Sequence, residues 1–283
     1  MQPTEFVSVD ELAAMVPDGA SLAIIKDDSN PPSEAARALV RRGVKDLHLV
    51  TIPTGGYPAD LLIGGDCVAS VETSGISLGE FGPAHRFGRA AKSGKIGLKD
   101  ATCPAVYAAL QAGEKGQPFV PIRGILGSDL TVHRDDWKVI DNPFAEEGKA
   151  DPILLLPAIV PDVAIIHVAK ADRYGNAWVG RERELATVAH AAKQTLVTTE
   201  EIVDEDLMAS PETAAGCLSA MYVDAIAVAK HGCWPVGLGA LYGRDEEHLR
   251  TYAAAARDDE AFQQYLQRYV MTPANTEDGR ATA

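Results

Sequence analysis

The chain has 283 residues, 46% of them hydrophobic, enough apolar content for a substantial α/β core. A formal net charge of -14 and a pI near 4.9 exclude a nucleic-acid backbone as the natural partner, because phosphate binding needs clustered Lys and Arg. The only basic cluster, His85 to Lys99, is flanked by Glu80 and Asp100 and reads as a solvated helix face. Four cysteines (Cys67, Cys103, Cys217, Cys233) without C-x-x-C spacing fit a reducing cytoplasm, and no stretch has the apolar length of a signal peptide or a membrane span.

In chain order, Val9 to Val16 reads as a short amphipathic helix with Ser8 as N-cap, ended by Pro17-Asp18-Gly19. Ser21 to Ile25 is a strand, followed by the loop Lys26 to Pro32 and a helix from Ser33 to Arg42 that Gly43 stops. Leu47 to Ile52 and Val68 to Thr73 are further strands, with a short helix at Ala59 to Ile63 between them. Phe81 to Ser93 is helical in period, Lys95 to Lys99 extended, and Pro104 to Ala112 a helix that Gly113 ends. Phe119 to Ile122 is a short strand, and the polar span Thr131 to Asp151 reads as a hairpin excursion or flap with one strand-like stretch, Trp137 to Ile140. Ile153 to Leu156 and Val163 to Ala169 are strands of the buried type. A helix at Arg183 to Lys193, strands at Thr195 to Thr199 and Val223 to Ala229, and two helical segments within Glu246 to Val270 complete the chain. This alternation predicts a single-domain α/β fold over 1–283, an open and mostly parallel sheet flanked by helices, with a disordered tail at 276–283.

Val163 to Ala169 lacks alternation and belongs centrally in a sheet; Asp172, Gly175 and Asn176 then supply residues suited to a left-handed turn. Gly75-Ile76-Ser77-Leu78-Gly79 matches G-x-S-x-G after a strand, but no oxyanion-hole loop precedes it, and a ligand-facing glycine loop is the favoured reading. Gly237 to Gly243 lacks the spacing of a dinucleotide fingerprint. The seven histidines show no metal-ligand spacing, so no metal is expected, and His167 reads as a satisfied core group. Cys103 opens a helix: its thiolate or a ligand would be stabilised by free amides there, or it is simply a small packed residue, and both readings stay open.

The run Ala164-Ile165-Ile166-His167-Val168-Ala169-Lys170-Ala171-Asp172-Arg173-Tyr174-Gly175-Asn176 resembles the corresponding segment of the A (alpha) subunits of family I coenzyme A transferases, within the glutaconate CoA-transferase-like branch. The resemblance continues through Ala35 to Gly43, Pro118 to Arg123, Val197 to Val203, Val223 to Ile226 and Tyr242 to Glu246. It implies the CoA-transferase type of α/β fold and a two-subunit enzyme, A2B2 or larger, in which a B subunit carries the nucleophilic glutamate and none of the catalytic residues lies in this chain. It also implies an acyl-CoA thioester and a carboxylic acid as substrates, and no permanently bound cofactor. The loop after the first strand departs from the family's glycine-rich pattern, so the substrate-binding residues expected here are the side chains of Lys26, Ser29 and Asn30, together with Ser77 and Cys103. Cys103 stands where typical transferases have a glutamine and a related ring-cleaving acyl-CoA hydrolase group has a functional glutamate. The alternatives are therefore a subunit of such a hydrolase or a non-catalytic interaction subunit.

Overall fold

A computed structural model describes residues 4–272; the tail expected at 276–283 lies outside them. The first half of the chain contains β1 (Glu5–Val7), α1 (Val9–Ala14), β2 (Ser21–Ile25), α2 (Ser33–Arg42), β3 (Leu47–Ile52), α3 (Tyr57–Gly64), β4 (Val68–Thr73), α4 (His85–Ser93), β5 (Gly97–Asp100) and α5 (Cys103–Glu114). An excursion follows with β6 (Phe119–Ile122), α6 (Leu130–His133), β7 (Lys138–Asp141) and β8 (Pro152–Pro157). The second half holds β9 (Val163–Asp172), β10 (Ala177–Trp178), α7 (Arg183–Ala191), β11 (Gln194–Val203), α8 (Pro211–Ala214), β12 (Cys217–Leu218), β13 (Ala225–Val228), α9 (Glu246–Ala255) and α10 (Asp259–Tyr269).

The main sheet runs β1-β13-β11-β9-β2-β3-β4-β5, parallel throughout, with β10 and β12 as an antiparallel annex beside β9. Alternate residues of each strand serve opposite faces. Leu22 and Ile24 of β2 join the core under α1 to α4, α9 and α10, whereas Ala23 and Ile25 join the one under α5, α7 and the excursion. Burying each such Leu or Ile contributes about 1.5–3 kcal/mol, which is why the central strands read as continuous apolar runs.

Local chemistry fixes the ends of the elements. Ser8 and Glu11 form a reciprocal capping box on α1, and Gly43, at φ 72°, closes α2. The turn after β9 is held by Asp172, whose carboxylate accepts the N–H groups of Tyr174, Asn176 and Leu207 and the Asn176 side-chain amide. Gly175 in that turn has φ 94°, and an added Cβ would lie 2.4 Å from Thr4 Oγ1.

Two local expectations need correction, and two strands pair in ways the sequence left open. The helix predicted from Phe81 begins only at His85, because Gly82 (φ 110°) and Pro83 break the period after a single 3₁₀ turn at Gly79–Phe81. Gly113 does not end α5; the helix runs on to Glu114, and Gly113 instead lets the Ile159 carbonyl approach to 2.2 Å from where a Cβ would stand. The strand Pro152–Pro157 lies outside the main sheet, pairing antiparallel with β6 and β7. Strand β1, at three residues too short to show a pattern, pairs with β13 at the sheet edge.

Candidate functional site

From β2 the sheet grows one way through β3, β4 and β5, and from β9 it grows the other way through β11 and β13. Strand order thus reverses between β2 and β9, and in open α/β sheets the crevice outside the carboxyl ends of the strands at such a point is where ligands bind. Two cavities open there. The first, about 320 Å³, lies above β2, β3 and β4 and is lined by Lys26, Asp27, Gly56, Ser77, Phe81 and Arg244 among others. The second, about 800 Å³, lies above β9 and β11, with Asn30, Lys170, Trp178, Arg181 and Leu241 on its walls. The loop from Lys26 to Asn30 separates them.

That loop is tied down by side chains. Asp27 reaches over Gly56 so that both carboxyl oxygens lie 3.0 Å from the Tyr57 N–H, in the first turn of α3. Gly56 has no room for anything more, since an added Cβ would fall 2.0 Å from Asp27 Cγ. Enclosure pushes the Asp27 carboxyl up to about 7, against the opposing pull of the Tyr57 N–H. Ser29, buried, donates to Glu184 at 2.8 Å, and Lys26 Nζ sits 3.5 Å from the same carboxylate. Enclosure opposes the Glu184 charge, but hydrogen bonds from its own backbone N–H and from Ser29, with Lys26 beside it, hold its carboxyl below the ordinary value.

Beyond β11, Glu200 is the hub of a buried network. It accepts from His167 Nε2 at 3.1 Å, from the Tyr242 hydroxyl at 2.7 Å, and from the N–H groups of His231 and Gly232 at 2.7 and 3.0 Å. Burial alone would raise its carboxyl, but these donors hold it down at about 2. Burial and the neighbouring Cys233 and Glu200 drive the Tyr242 phenol far up, so it stays protonated and donating.

The residues singled out in the sequence fall around this crevice without meeting at one point. Lys26 and Ser77 line the first cavity and Asn30, in the left-handed region at φ 57°, lines the second. Ser29 is turned inward onto Glu184. Ser77 is exposed, its Oγ accepts the Gly79 N–H, and among the described residues no imidazole bonds it, so the G-x-S-x-G stretch forms a glycine loop on a cavity wall. Cys103 is exposed at the first position of α5, 3.1 Å from Ser74 Oγ, beside the glycine loop rather than in either cavity lining. Sequence reasoning missed Asp27, Glu200, Tyr242 and Arg244 as organisers of the site. Their signal was an acid inside a glycine-poor loop for Asp27 and, for Glu200, Tyr242 and Arg244, their place in the stretches Val197 to Val203 and Tyr242 to Glu246 that carry the resemblance.

The enclosed carboxylates at this edge, Asp27, Glu184 and Glu200, are each committed to internal donors. The fold, with its crevice where the strand order reverses, is that of a doubly wound α/β protein. The profile of the family described as Coenzyme A transferase matches residues 6–229, and the chain belongs to that family. A protein of Archaeoglobus fulgidus is 36% identical over 82% of this chain, which spans about half (51%) of that relative's length. The A chain of the 3-oxoadipate CoA-transferase of Pseudomonas knackmussii is 32% identical over 90% of this chain and 89% of its own. A cholesterol ring-cleaving hydrolase subunit of Rhodococcus jostii is 29% identical over 93% of this chain and 91% of its own. Among solved structures, glutaconate coenzyme A-transferase from Acidaminococcus fermentans superposes with a TM-score of 0.87 at 26% identity, covering 95% of this chain and 89% of that one. The decarboxylase AibA/AibB gives 0.82 at 29% identity, covering 95% and 100%. Among the described residues there is no cluster of potential metal ligands and no helix long and apolar enough to cross a membrane.

Proposed function

We propose that this chain is the A subunit of an acyl-CoA:carboxylate CoA-transferase, building the acyl and CoA pocket while a B subunit supplies the catalytic glutamate, in an A2B2 or larger assembly in the cytoplasm. The observation that carries this reading is the family match, together with a crevice at which Asp27, Glu184 and Glu200 are each bonded internally. None of them is free to act as a nucleophile.

In this reading the partner's glutamate attacks the thioester carbonyl and expels the CoA thiolate, giving an acyl-glutamyl anhydride. The thiolate then attacks the glutamyl carbonyl, which frees the first carboxylic acid and leaves a glutamyl-CoA thioester. The acceptor carboxylate attacks that thioester in turn, forming a second anhydride and again releasing the CoA thiolate. The thiolate attacks the acceptor's acyl carbonyl, so the new acyl-CoA departs and the glutamate is restored. This chain contributes Lys26, Asn30, Ser77 and Cys103 around the acyl-CoA, with Ser29 fixing the loop, and the thioester is substrate rather than resident cofactor. Relatives named for glutaconate and 3-oxoadipate support transfer between carboxylic acids.

A hydrolase on the same scaffold is the second reading, favoured by the relative named as a ring-cleaving hydrolase subunit. Treating the assembled A and B chains with acyl-CoA and then borohydride separates the two. A reduced glutamate in B supports transfer, whereas CoA release without adduct or acceptor acid supports hydrolysis. The isolated chain is expected to be inert, and turnover that scales with its concentration alone would contradict the proposal.

A further inference from the structure

The first cavity has an apolar floor and a charged rim. Ile76, Leu78, Phe81, Val236 and Leu249 supply the floor, and Lys26, Asp27, Asp28 and Arg244 the charges. Both cations already have partners: Lys26 faces Glu184 at 3.5 Å, and Arg244 is shared between Glu80 at 2.5 Å and Asp28 at 3.6 Å. Counted with these partners, the two cations stand against Glu184, Glu80 and Asp28, with Asp27 beside them, so the cations are neutralised and negative charge is in surplus. The amide at the start of α3, the natural donor to an anion in this cavity, already donates to Asp27 of the same chain, whose carboxyl group takes up the space over Gly56. Asp27 therefore sits where a ligand's own carboxylate would sit.

We infer that this cavity selects acyl groups with an uncharged far end and rejects those that end in a carboxylate, with Asp27 as the specificity-determining residue. This rests on the transferase reading and deepens it. An apolar chain gains contact with the floor and leaves the filled amide undisturbed. A terminal carboxylate would shed water into a rim where Lys26, Arg244 and the α3 amide already have carboxylate acceptors, and it would share that rim with Asp27 and Asp28.

The test uses the assembled A and B enzyme at pH 8, where Asp27 carries its charge, with hexanoyl-CoA and adipyl-CoA, which share chain length and differ in the terminal carboxylate. Wild type is expected to favour hexanoyl-CoA in kcat/KM by tenfold or more, and Asp27→Ala, which empties the amide, to shift the ratio at least tenfold toward adipyl-CoA. Asp27→Asn keeps the space filled and should shift the ratio less than Asp27→Ala does. A wild-type preference for adipyl-CoA, or an unchanged ratio in Asp27→Ala, overturns the inference. Binding of unreactive hexyl and carboxypentyl thioethers of CoA, followed by calorimetry, reads the same preference without chemistry. Absence of turnover with intact selective binding thus removes the transferase reading and leaves the selectivity standing, whereas equal binding of the two thioethers removes the selectivity.

Discussion

Glu200 and His167 face each other across neighbouring parallel strands, with His167 Nε2 donating to the Glu200 carboxylate over 3.1 Å. Because that carboxylate only accepts, the imidazole proton sits on Nε2, and Nδ1 is left to pair with Thr198 Oγ1 at 2.9 Å. The pair fixes the loop after β13 through the His231 and Gly232 amides and Tyr242.

Replacing Glu200 by Gln sets an NH2 group against this ring of donors. Glu200→Gln is expected to lose about 2–4 kcal/mol of unfolding free energy, measured by denaturant titration. The sign with pH is fixed by the depressed carboxyl. Its contribution is complete above about pH 4.5 and lost as pH falls toward about 2, so the variant should have a shallower acid limb than wild type. An equally steep limb in the variant would remove Glu200 as its source.

The centre of the sheet was legible in the sequence, because strands buried on both faces such as Ser21–Ile25 and Val163–Asp172 must be apolar through most of their length. The turn at Asp172 to Asn176 was legible for a related reason, since the side chains that hold it are close in sequence. Contacts between distant segments left no such mark. Gly113 looks like a helix stop until the backbone at Ile159 is seen against it, and Glu5–Val7 becomes a strand only beside β13. The site suffered most. Asp27 and Tyr57, or Glu200 and Tyr242, are joined by folding alone, so the sequence marked the loops as important without saying which side chains face a ligand and which face one another.

Asp27 should give the opposite pH sign to Glu200. Its carboxyl rises from 3.8 to about 7, so its contribution to stability is complete below about pH 4 and is lost as pH climbs through about 7. Asp60, raised by burial to about 6, acts in the same direction. His248, which burial lowers to about 4, opposes them, adding stability as pH rises from 4 to 6.5. Comparison with Asp27→Asn isolates the first group: relative to wild type the variant should be more stable at pH 8 than at pH 5. A gap that stays constant across that range would show that Asp27 does not titrate there.

Gly232 is a packing constraint on the same network. An added Cβ would lie 2.3 Å from His167 Cε1 and 2.6 Å from Nδ1, and the ring is held at both nitrogens. Gly232→Ala is expected to destabilise the chain by about 1–3 kcal/mol. Gly243, with nothing within 4 Å of its Cβ position, is the control, and alanine there should change stability by less than about 0.5 kcal/mol. Equal effects at the two positions would remove the steric argument.

Cys103 differs from the other cysteines in ways that chemistry can read. Burial pushes the Cys67 thiol up to about 12 and the Cys233 thiol well above its ordinary value, so both should resist alkylation. Cys103 is exposed at the start of α5 and should react with iodoacetamide in the isolated chain. If it faces the partner's glutamate at the mouth of the acyl site, that reaction should slow on assembly with the B subunit, and slow further when acyl-CoA is added. In that placement a thiol, a weak hydrogen-bonding group, would act by its size rather than as donor or base. Cys103→Ala and Cys103→Ser should then leave transfer within about tenfold, roughly 1.4 kcal/mol in the barrier. Cys103→Glu should add acyl-CoA hydrolysis if that chemistry resides in a carboxylate at this position. Alkylation that neither the partner nor acyl-CoA slows would place Cys103 away from the site, and loss of all turnover in Cys103→Ala with assembly intact would make it a participant in the reaction.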